Sequence, residues 1–170
     1  MGKRSTKENK NIYQICREEA NLTRERASER MEYISADRIE KIESEKSYPH
    51  PDEILAMEDC YKNPTLRNYY CSHECPIGQI SVPKLELKNL SQIVLEMLAS
   101  LNAMDKDKNR LIEITADGEL TADEYHDFAV IEDQLNKISL ASESLKIWLQ
   151  QTIMDGNIDS EELNKARSLI

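Results

Sequence analysis

The chain has 170 residues and a formal net charge of −10, with 39% hydrophobic and 32% charged residues. These values predict a folded protein of one domain or two small ones, and they argue against disorder and against non-specific binding of nucleic acid through bulk charge. Only four Gly, five Pro and one Phe favour a mostly helical fold.

No segment approaches the ~18 apolar residues of a membrane span, and the N-terminal residues "MGKRSTKENK" lack the apolar core of a signal peptide. We therefore expect a cytoplasmic protein with no membrane partner. The four Cys do not form the dense pattern of a secreted disulfide framework, so we expect reduced thiols.

The sequence predicts four regions. Residues 1–10 form a flexible basic tail, residues 11–70 alternate short helical patterns with breaks, and residues 71–83 form a Cys-containing linker with two Pro and one Gly. Residues 84–170 are predicted to form long helices. Acidity is concentrated in the second half, because the chain from residue 80 onward holds 9 basic and 17 acidic residues, a net charge of −8.

Five short helices are predicted between residues 11 and 70 from apolar positions at helical spacing and from residues suited to capping. Asn21 suits a left-handed helix stop. Thr23, Ser35 and Asp52 suit the N-caps of the second, third and fourth helices, and Pro64 lies near the start of the fifth. The residues predicted to face inward are Ile12, Ile15, Cys16, Ala20, Ala27, Met31, Ile39, Ile42, Ile54, Met57 and Tyr61.

The segment "LTRERASERMEYISADRIEKIESEK", which ends at Lys46, resembles the Xre (Cro/C1-type) helix-turn-helix family. The shared pattern is a capped helix, a small residue in its middle, a hydrophobic-Ser turn, and then "I-x-x-I-E". "PHPDEILAM" resembles the family's fourth helix, and the resemblance covers about residues 11–66. "NYYCSHECPIGQ" resembles Xre-type regulators of anaerobic Gram-positive bacteria. The matching residues are Leu22, Thr23, Glu25, Ala27, Ile34, Ser35, Ile39, Ile42, Glu43 and Lys46.

Two features depart from the family pattern. The turn between the second and third helices is one residue longer than usual at Glu32-Tyr33, and Glu45 stands where the family often has Gly. Either difference can tilt the third helix relative to the second.

The resemblance implies a bacterial, nucleoid-associated transcriptional regulator whose third helix enters the major groove of a double-stranded DNA operator. Arg38 would then contact guanine, Asp37 would accept from cytosine N4, and Arg24 and Lys46 would contact phosphates. Glu43 is expected to pair within the domain, with Arg30 as its partner. The candidate DNA-binding residues are Arg24, Ala36, Asp37, Arg38, Lys41 and Lys46.

Two uses of the third helix stay open. Arg38 and Lys41 are neighbours on one stripe, whereas Glu40 and Glu43 project away from it, which favours DNA reading. The domain has no basic excess, however, and this pattern also fits a helix-turn-helix used only for protein contact, in an interaction module or an antirepressor.

Cys60, Cys71, His73 and Cys75 form a Cys/His cluster in the sequence, and such ligands suit tetrahedral Zn²⁺. No second paired cluster accompanies it. Three interpretations stay open, namely a zinc site, a disulfide or redox pair, and plain unpaired thiols. No other cofactor is predicted.

The acidic half carries two runs of apolar residues at alternating spacings of three and four, which predict long helices packed side by side. Gly118 and Gly156 are predicted to end helices, and Thr121 and Asp159 to begin the next ones. The same loops resemble half of an EF-hand, but poor ligands at the early positions favour capping over calcium. The predicted seams are Leu87, Leu90, Val94, Met97, Leu101, Met104 and Leu111 on one helix, and Phe128, Ile131, Leu135, Ile138, Leu145 and Leu149 on the other.

Surplus apolar side chains beside these seams predict homodimerisation through residues 84–170. We expect no enzyme, because His126 stands alone on an acidic helix and no phosphate-binding Gly loop is present. The sequence therefore predicts an all-α protein. It has an N-terminal five-helix Cro/C1-type helix-turn-helix domain, followed by a long helical hairpin with a short third helix. The surplus apolar residues are Ile93, Ile112, Ile114, Leu140, Ile147 and Trp148.

Overall fold

The computed structural model describes residues 10–169, so most of the predicted basic tail lies outside the described residues. Within that range the regular elements are helical, which confirms the predicted all-α class. The helices are α1 (Ile12–Glu19), α2 (Arg24–Met31), α3 (Ala36–Glu43), α4 (Pro51–Tyr61), α5 (Thr65–Tyr69), α6 (Gly78–Ser81), α7 (Leu90–Ile114), α8 (Tyr125–Met154) and α9 (Ser160–Arg167).

The described chain forms two compact units. The first unit contains residues 10–84 and 150–169, and the second contains Leu85–Leu149. None of the helices described between residues 10 and 169 carries an apolar run long enough to cross a bilayer.

The core of the first unit lies among α1 to α5. Most of the positions predicted to face inward are indeed buried, because helical spacing places them on one face of each helix. The buried apolar residues are Tyr13, Cys16, Leu22, Ala27, Met31, Ile34, Ile39, Ile42, Ile54, Met57, Cys60, Tyr61 and Leu66.

The prediction for α1 is wrong at Ile15, which is 36% exposed. The helix instead turns Tyr13, Cys16 and Arg17 toward the core. Tyr13 packs edge-on against Tyr69 with ring centroids 6.1 Å apart. Arg17 and Ile15 lie about 200° apart on the helix, so the face that buries Arg17 against Glu43 leaves Ile15 toward solvent.

The predicted caps of α2 and α3 are confirmed. Thr23 accepts a hydrogen bond from the Arg26 N–H, and Ser35 accepts one from the Arg38 N–H. Asn21 has φ +56°, as expected for the stop that follows α1. Such caps are local interactions between a side chain and the adjoining backbone, so sequence alone identifies them.

The predicted start of α4 is wrong. His50 rather than Asp52 is the N-cap, and Pro51 occupies the first helical position, where a missing N–H has no cost. The Glu53 carboxylate accepts a hydrogen bond from the His50 N–H at 2.7 Å.

The segment at residues 71–83, which the sequence predicts to be a Cys-containing linker, has helical structure in part. It begins inside a π-helical turn, Tyr70–Glu74, and continues into the short helix α6. Gly78 packs directly on the backbone of Cys71, where a Cβ would lie 2.1 Å from the Cys71 carbonyl oxygen. Only glycine permits this approach, so the segment folds back as part of the first unit.

In the second unit, α7 and α8 follow each other through a connection in which Gly118 has φ +76°. The Arg110 guanidinium near the end of α7 lies 2.6 Å from the Asp127 carboxylate near the start of α8. This ion pair brings the end of α7 and the start of α8 together. The residues of α7 withdrawn from solvent include a series at alternating spacings of four and three, namely Ile93, Met97, Ser100, Met104, Asp107, Leu111 and Ile114, with Glu96, Ala103 and Arg110 beside it.

The predicted seam of α7 is therefore wrong by about one position. Met97, Met104 and Leu111 belong to the observed seam, but Val94 and Leu101 are 40% and 44% exposed. Leu87 precedes the helix. The prediction of surplus apolar surface is wrong for Ile93, Ile114 and Ile147, because these three residues are buried.

The end of the chain follows the predicted pattern. Gly156 has φ +74°, and Asp159 caps α9 by accepting from the Glu161 and Glu162 N–H groups. At the other connection, the Glu124 carboxylate accepts from both the N–H and the hydroxyl of Thr121. The Glu124 carboxylate thus stabilises the turn that directly precedes α8.

Candidate nucleic-acid interface

A short turn of residues 32–35 joins α2 to α3. Glu32 has φ +60° and ψ −51°, and the Tyr33 N–H donates to the Met31 carbonyl at 2.6 Å. This is a γ-turn of the strained, positive-φ kind. The extra residue noted in the sequence is accommodated in this turn, which returns Ile34 to the core at 1% exposure.

Glu43 fixes the inner face of α3. Its side chain is fully buried and accepts three hydrogen bonds from two guanidinium groups. Arg17 of α1 donates from Nε at 2.5 Å and from a terminal nitrogen at 2.9 Å, and Arg24 of α2 donates from Nε at 2.8 Å. One carboxylate therefore ties α3 to both α1 and α2.

The charges in this cluster reinforce one another. Burial alone would lower the pKa of Arg17, but hydrogen bonding and the charge of Glu43 outweigh it, so the pKa of Arg17 is raised. Arg17 also donates to the Leu22 carbonyl at 2.7 Å. The prediction that Arg30 pairs with Glu43 is wrong, because Arg17 and Arg24 donate the hydrogen bonds to this carboxylate.

Arg38 is held by α4 and by the loop that precedes α4. It donates to both carboxylate oxygens of Glu53 at 2.7 Å, to the Ser47 hydroxyl at 2.5 Å and to the Tyr48 carbonyl at 2.9 Å. The hydrogen bonds to Glu53 raise the pKa of Arg38. Burial would raise the pKa of Glu53, but the hydrogen bonds from Arg38 and from the His50 backbone lower it.

This arrangement bears directly on the predicted contact with guanine. A guanidinium has five N–H groups, and the four hydrogen bonds of Arg38 engage four of them. A bidentate contact to a base would require Arg38 to release Glu53. In the structure, Arg38 positions α3 against α4.

The remaining candidates lie on the outer surface of α3. Asp37 and Lys41 are exposed and form an ion pair at 2.7 Å along the helix. Lys46, just beyond the helix, lies 3.6 Å from Glu40. Ala36 is half-buried at the first helical position. The outer surface of α3 is thus charged, but its positive and negative charges are paired.

Arg24 and Glu45 complete this surface. Arg24 is about one-third exposed at the start of α2, although its Nε is already bonded to Glu43. Glu45 has φ +59°, a left-handed backbone conformation that glycine adopts without strain. The chain leaves α3 through this left-handed residue and turns toward α4.

The Cys/His residues are spread over different environments. Cys60 is buried in α4, with its sulfur 4.0 Å from the Ala27 carbonyl oxygen, and burial raises its pKa. Cys71 and Cys75 are half-buried in the π-helical turn and just after it. His73 is exposed and stacks on the Tyr69 ring at 4.4 Å. Among residues 10–169, no three Cys, His, Asp or Glu side chains converge as a metal site would require.

Comparison of the chain with protein-family models, with curated proteins and with solved structures finds no match in any of the three. The functional argument therefore depends on the geometry of α2, α3 and their neighbours.

Sequence reasoning missed two residues that shape this surface. The sequence alone assigns no role to Arg17 or to Glu53. Both act across 15 or more positions of the chain, on Glu43 and Arg38 respectively. The signal available in the sequence was the position of Arg17 directly after Cys16, which is predicted to face inward.

Proposed function

We propose that this chain is a sequence-specific DNA-binding transcriptional regulator that acts as a dimer and places α3 in the major groove. The observation that supports the proposal is the anchoring of α3 to its neighbours by ion pairs. Glu43 ties its inner face to two helices, and Arg38 ties it to a third. A base-reading helix needs such support, because hydrogen bonds to base edges tolerate little displacement.

The outer side chains define what α3 reads. In the major groove, a C·G pair presents the cytosine N4 donor beside the guanine O6 and N7 acceptors. The Asp37 carboxylate can accept from N4, and the Lys41 ammonium can donate to guanine. Since these two charges already lie 2.7 Å apart, they can address one base pair together. Ala36 provides an apolar contact for a thymine methyl group.

The phosphate contacts fall on Arg24 and Lys46, at the start of α2 and just after α3. Both are at least one-third exposed, and each keeps N–H donors beyond its present ion pair. Arg38 has a positioning role in this proposal. It keeps α3 docked on α4 while Asp37 and Lys41 contact the bases.

The test begins with selection of bound duplexes from a random DNA pool by the full-length chain. Fluorescence anisotropy then gives the affinity for a selected site at several salt concentrations. Lys41→Ala should cost about 1–3 kcal/mol on that site and relax preference at one base pair, whereas Lys46→Ala should weaken binding evenly and reduce the salt slope by about one.

Lys62→Ala is the matched control for Lys41→Ala. Lys62 is equally exposed and equally paired along its helix, 2.7 Å from Asp59, but it follows α4. Removing the same charge there should leave DNA affinity unchanged. Equal losses in the two variants, or no salt-sensitive binding at all, would contradict the proposal.

A second candidate function is protein contact through the same helix. The observation that favours it is the pairing of Asp37 with Lys41 and of Glu40 with Lys46, which leaves no excess of positive charge on the surface of α3. Glu40→Gln distinguishes the two functions. It should strengthen DNA binding if α3 lies near phosphates, and it should have no effect on DNA if α3 serves a protein partner.

A further inference from the structure

The four cysteines of the chain fall into two environments. Cys71 lies in the π-helical turn Tyr70–Glu74 and Cys75 directly follows it, and both are half-buried. Cys16 and Cys60 are buried in the core of the first unit. Cys71 and Cys75 are therefore the pair that keeps part of its surface in contact with solvent.

Burial also makes the two core cysteines unreactive. It raises the pKa of Cys16 to about 12 and it raises the pKa of Cys60. The thiolate is the form that attacks an oxidant, so a raised pKa leaves little of the reactive form at neutral pH. Oxidation at sulfur is therefore expected to begin at Cys71 or Cys75.

The π-helical turn brings Cys71 and Cys75 to one side of the chain. The Cys75 N–H donates to the Tyr70 carbonyl at 2.9 Å, a hydrogen bond between residues five apart. Side chains four positions apart in a helical turn lie one above the other. Even at the α-helical rise of ~1.5 Å per residue, their Cα atoms would be about 6 Å apart, which is within the range found in disulfides. A π turn rises less per residue and brings them closer.

The neighbours of this pair agree with its placement. Burial raises the pKa of Tyr70 most, and the negative charges of Cys75, Glu74 and Cys71 raise it further, so both sulfurs lie near one phenol. Helical side chains four apart have Cβ atoms about 5–6 Å apart, whereas disulfide Cβ atoms are about 3.5–4.5 Å apart. Closure therefore needs an approach of roughly 1–2 Å. Cys75 has already left the helical conformation, with φ −78° and ψ 118°, so this movement does not require a longer helix to unwind.

The surroundings favour a dithiol over a metal centre. The His73 ring stacks on Tyr69, and its Nδ1 lies 2.9 Å from the Ser72 hydroxyl and 3.1 Å from the Tyr69 carbonyl. Within the described part of the chain, no third Cys, His, Asp or Glu side chain joins the two thiols as a zinc site would require.

We propose that Cys71 and Cys75 form a redox-active dithiol, which a hydroperoxide oxidises to an intramolecular disulfide. One thiolate attacks a peroxide oxygen, the O–O bond breaks, and the sulfur becomes a sulfenic acid. The second sulfur then attacks the first, so that an S–S bond forms, the S–O bond breaks and water leaves. Two thiols and one hydrogen peroxide thus give one disulfide and two water molecules, and the two electrons lost by sulfur reduce the peroxide.

The test treats the reduced full-length chain with a small molar excess of hydrogen peroxide, followed by alkylation of the remaining thiols. Trypsin releases residues 68–84, which contain both cysteines, and a protease specific for glutamate then cuts after Glu74. The two fragments should stay joined until a reductant is added. Cys71 and Cys75 should lose their free thiols at least about tenfold faster than Cys16 and Cys60.

A shifted pair is the matched control. Cys71→Ser combined with His73→Cys keeps two thiols in the same segment, but they are two positions apart and do not face each other. This variant should form the intramolecular disulfide at least about tenfold more slowly, with unchanged helical circular dichroism. Equal rates in the wild type and the shifted pair, disulfides between chains only, or thiols at Cys71 and Cys75 that peroxide leaves intact would each overturn the proposal. No DNA is present, so the DNA-binding proposal keeps its own test.

Discussion

Removing the carboxylate of Glu43 is expected to destabilise the first unit by about 3–5 kcal/mol, the range for removing one partner of a buried ion pair. Glu43→Ala would leave the buried guanidinium of Arg17 without its partner and would free one donor of Arg24. Domain stabilities are usually about 5–15 kcal/mol, so this single change would remove a large part of the total.

Urea unfolding at pH 7, followed by far-ultraviolet circular dichroism, measures this loss. With a denaturant slope near ~2 kcal/mol per molar urea, the midpoint should fall by about 1.5–2.5 M. Glu40→Ala is the control, because the exposed pair of Glu40 with Lys46 should contribute only ~0–1 kcal/mol. The two variants remove the same group from the same helix.

A double variant tests the physical cause. Replacing Arg17 and Glu43 together, as Arg17→Met with Glu43→Leu, removes both buried charges and fills the space with apolar groups. This variant should recover most of the stability lost in Glu43→Ala, since apolar replacement of a whole buried pair is often neutral or stabilising. The reasoning would be refuted by a loss below about 1 kcal/mol in Glu43→Ala, or by a double variant that is less stable than Glu43→Ala.

Three further substitutions probe other parts of the first unit by the same unfolding assay. Ser35→Ala should cost about 1 kcal/mol by removing the cap of α3, and an unchanged midpoint would contradict the capping role. Glu32→Gly should stabilise the chain by about 0.5–1 kcal/mol, because glycine adopts the positive φ of the γ-turn without strain; destabilisation would show that the turn is not strained. Burial raises the pKa of Glu58, so the free energy of unfolding of the wild type falls as pH rises from the ordinary carboxyl pKa to the raised folded value. Glu58→Gln does not titrate, so its stability relative to the wild type should increase over that pH window. A constant difference between pH 4 and pH 8 would count against the Glu58 assignment.

The sequence predicts local features of this chain well. Thr23 and Ser35 were identifiable as caps because each contacts a backbone N–H only three residues away. Asn21 and Gly156 were identifiable as helix stops because Asn and Gly accept the positive φ that each adopts. Apolar spacing identified the buried face of α3, where Ile39 and Ile42 are the main contributors.

The partner of Glu43 could not be predicted because several Arg residues lie near it in sequence. Arg30 is nearer along the chain than Arg17, which lies 26 positions away. Choosing among them requires the packing of α1 against α3, which helical periodicity alone does not specify. The same holds for the pairing of Arg38 with Glu53 across the loop that precedes α4.

The residues that form the seam of α7 were predicted incorrectly for a related reason. This helix carries two apolar stripes offset by about one residue, and both have spacings of three and four. The observed seam includes Ser100 and Asp107, so it is the less apolar of the two. A pattern of apolar residues shows that a helix has partners, but it does not show which stripe meets the neighbouring helix of the same chain.

The charge pairing on α3 has a consequence for how the proposed regulator would find its site. Lys41 and Lys46 already pair with carboxylates of α3, Asp37 and Glu40 respectively. They therefore add little to long-range attraction toward DNA. Non-specific binding should then be weak, because it depends on phosphate neutralisation by unpaired positive charge. Discrimination would come from base edges that can replace the present partners of these two side chains. A cytosine amino group would take the place of Lys41 as the partner of Asp37, and the guanine acceptors would take the place of Asp37 as the partners of Lys41. A wrong base pair would leave one of these charges without a partner in the groove, so the same pairing that weakens non-specific binding would increase selectivity.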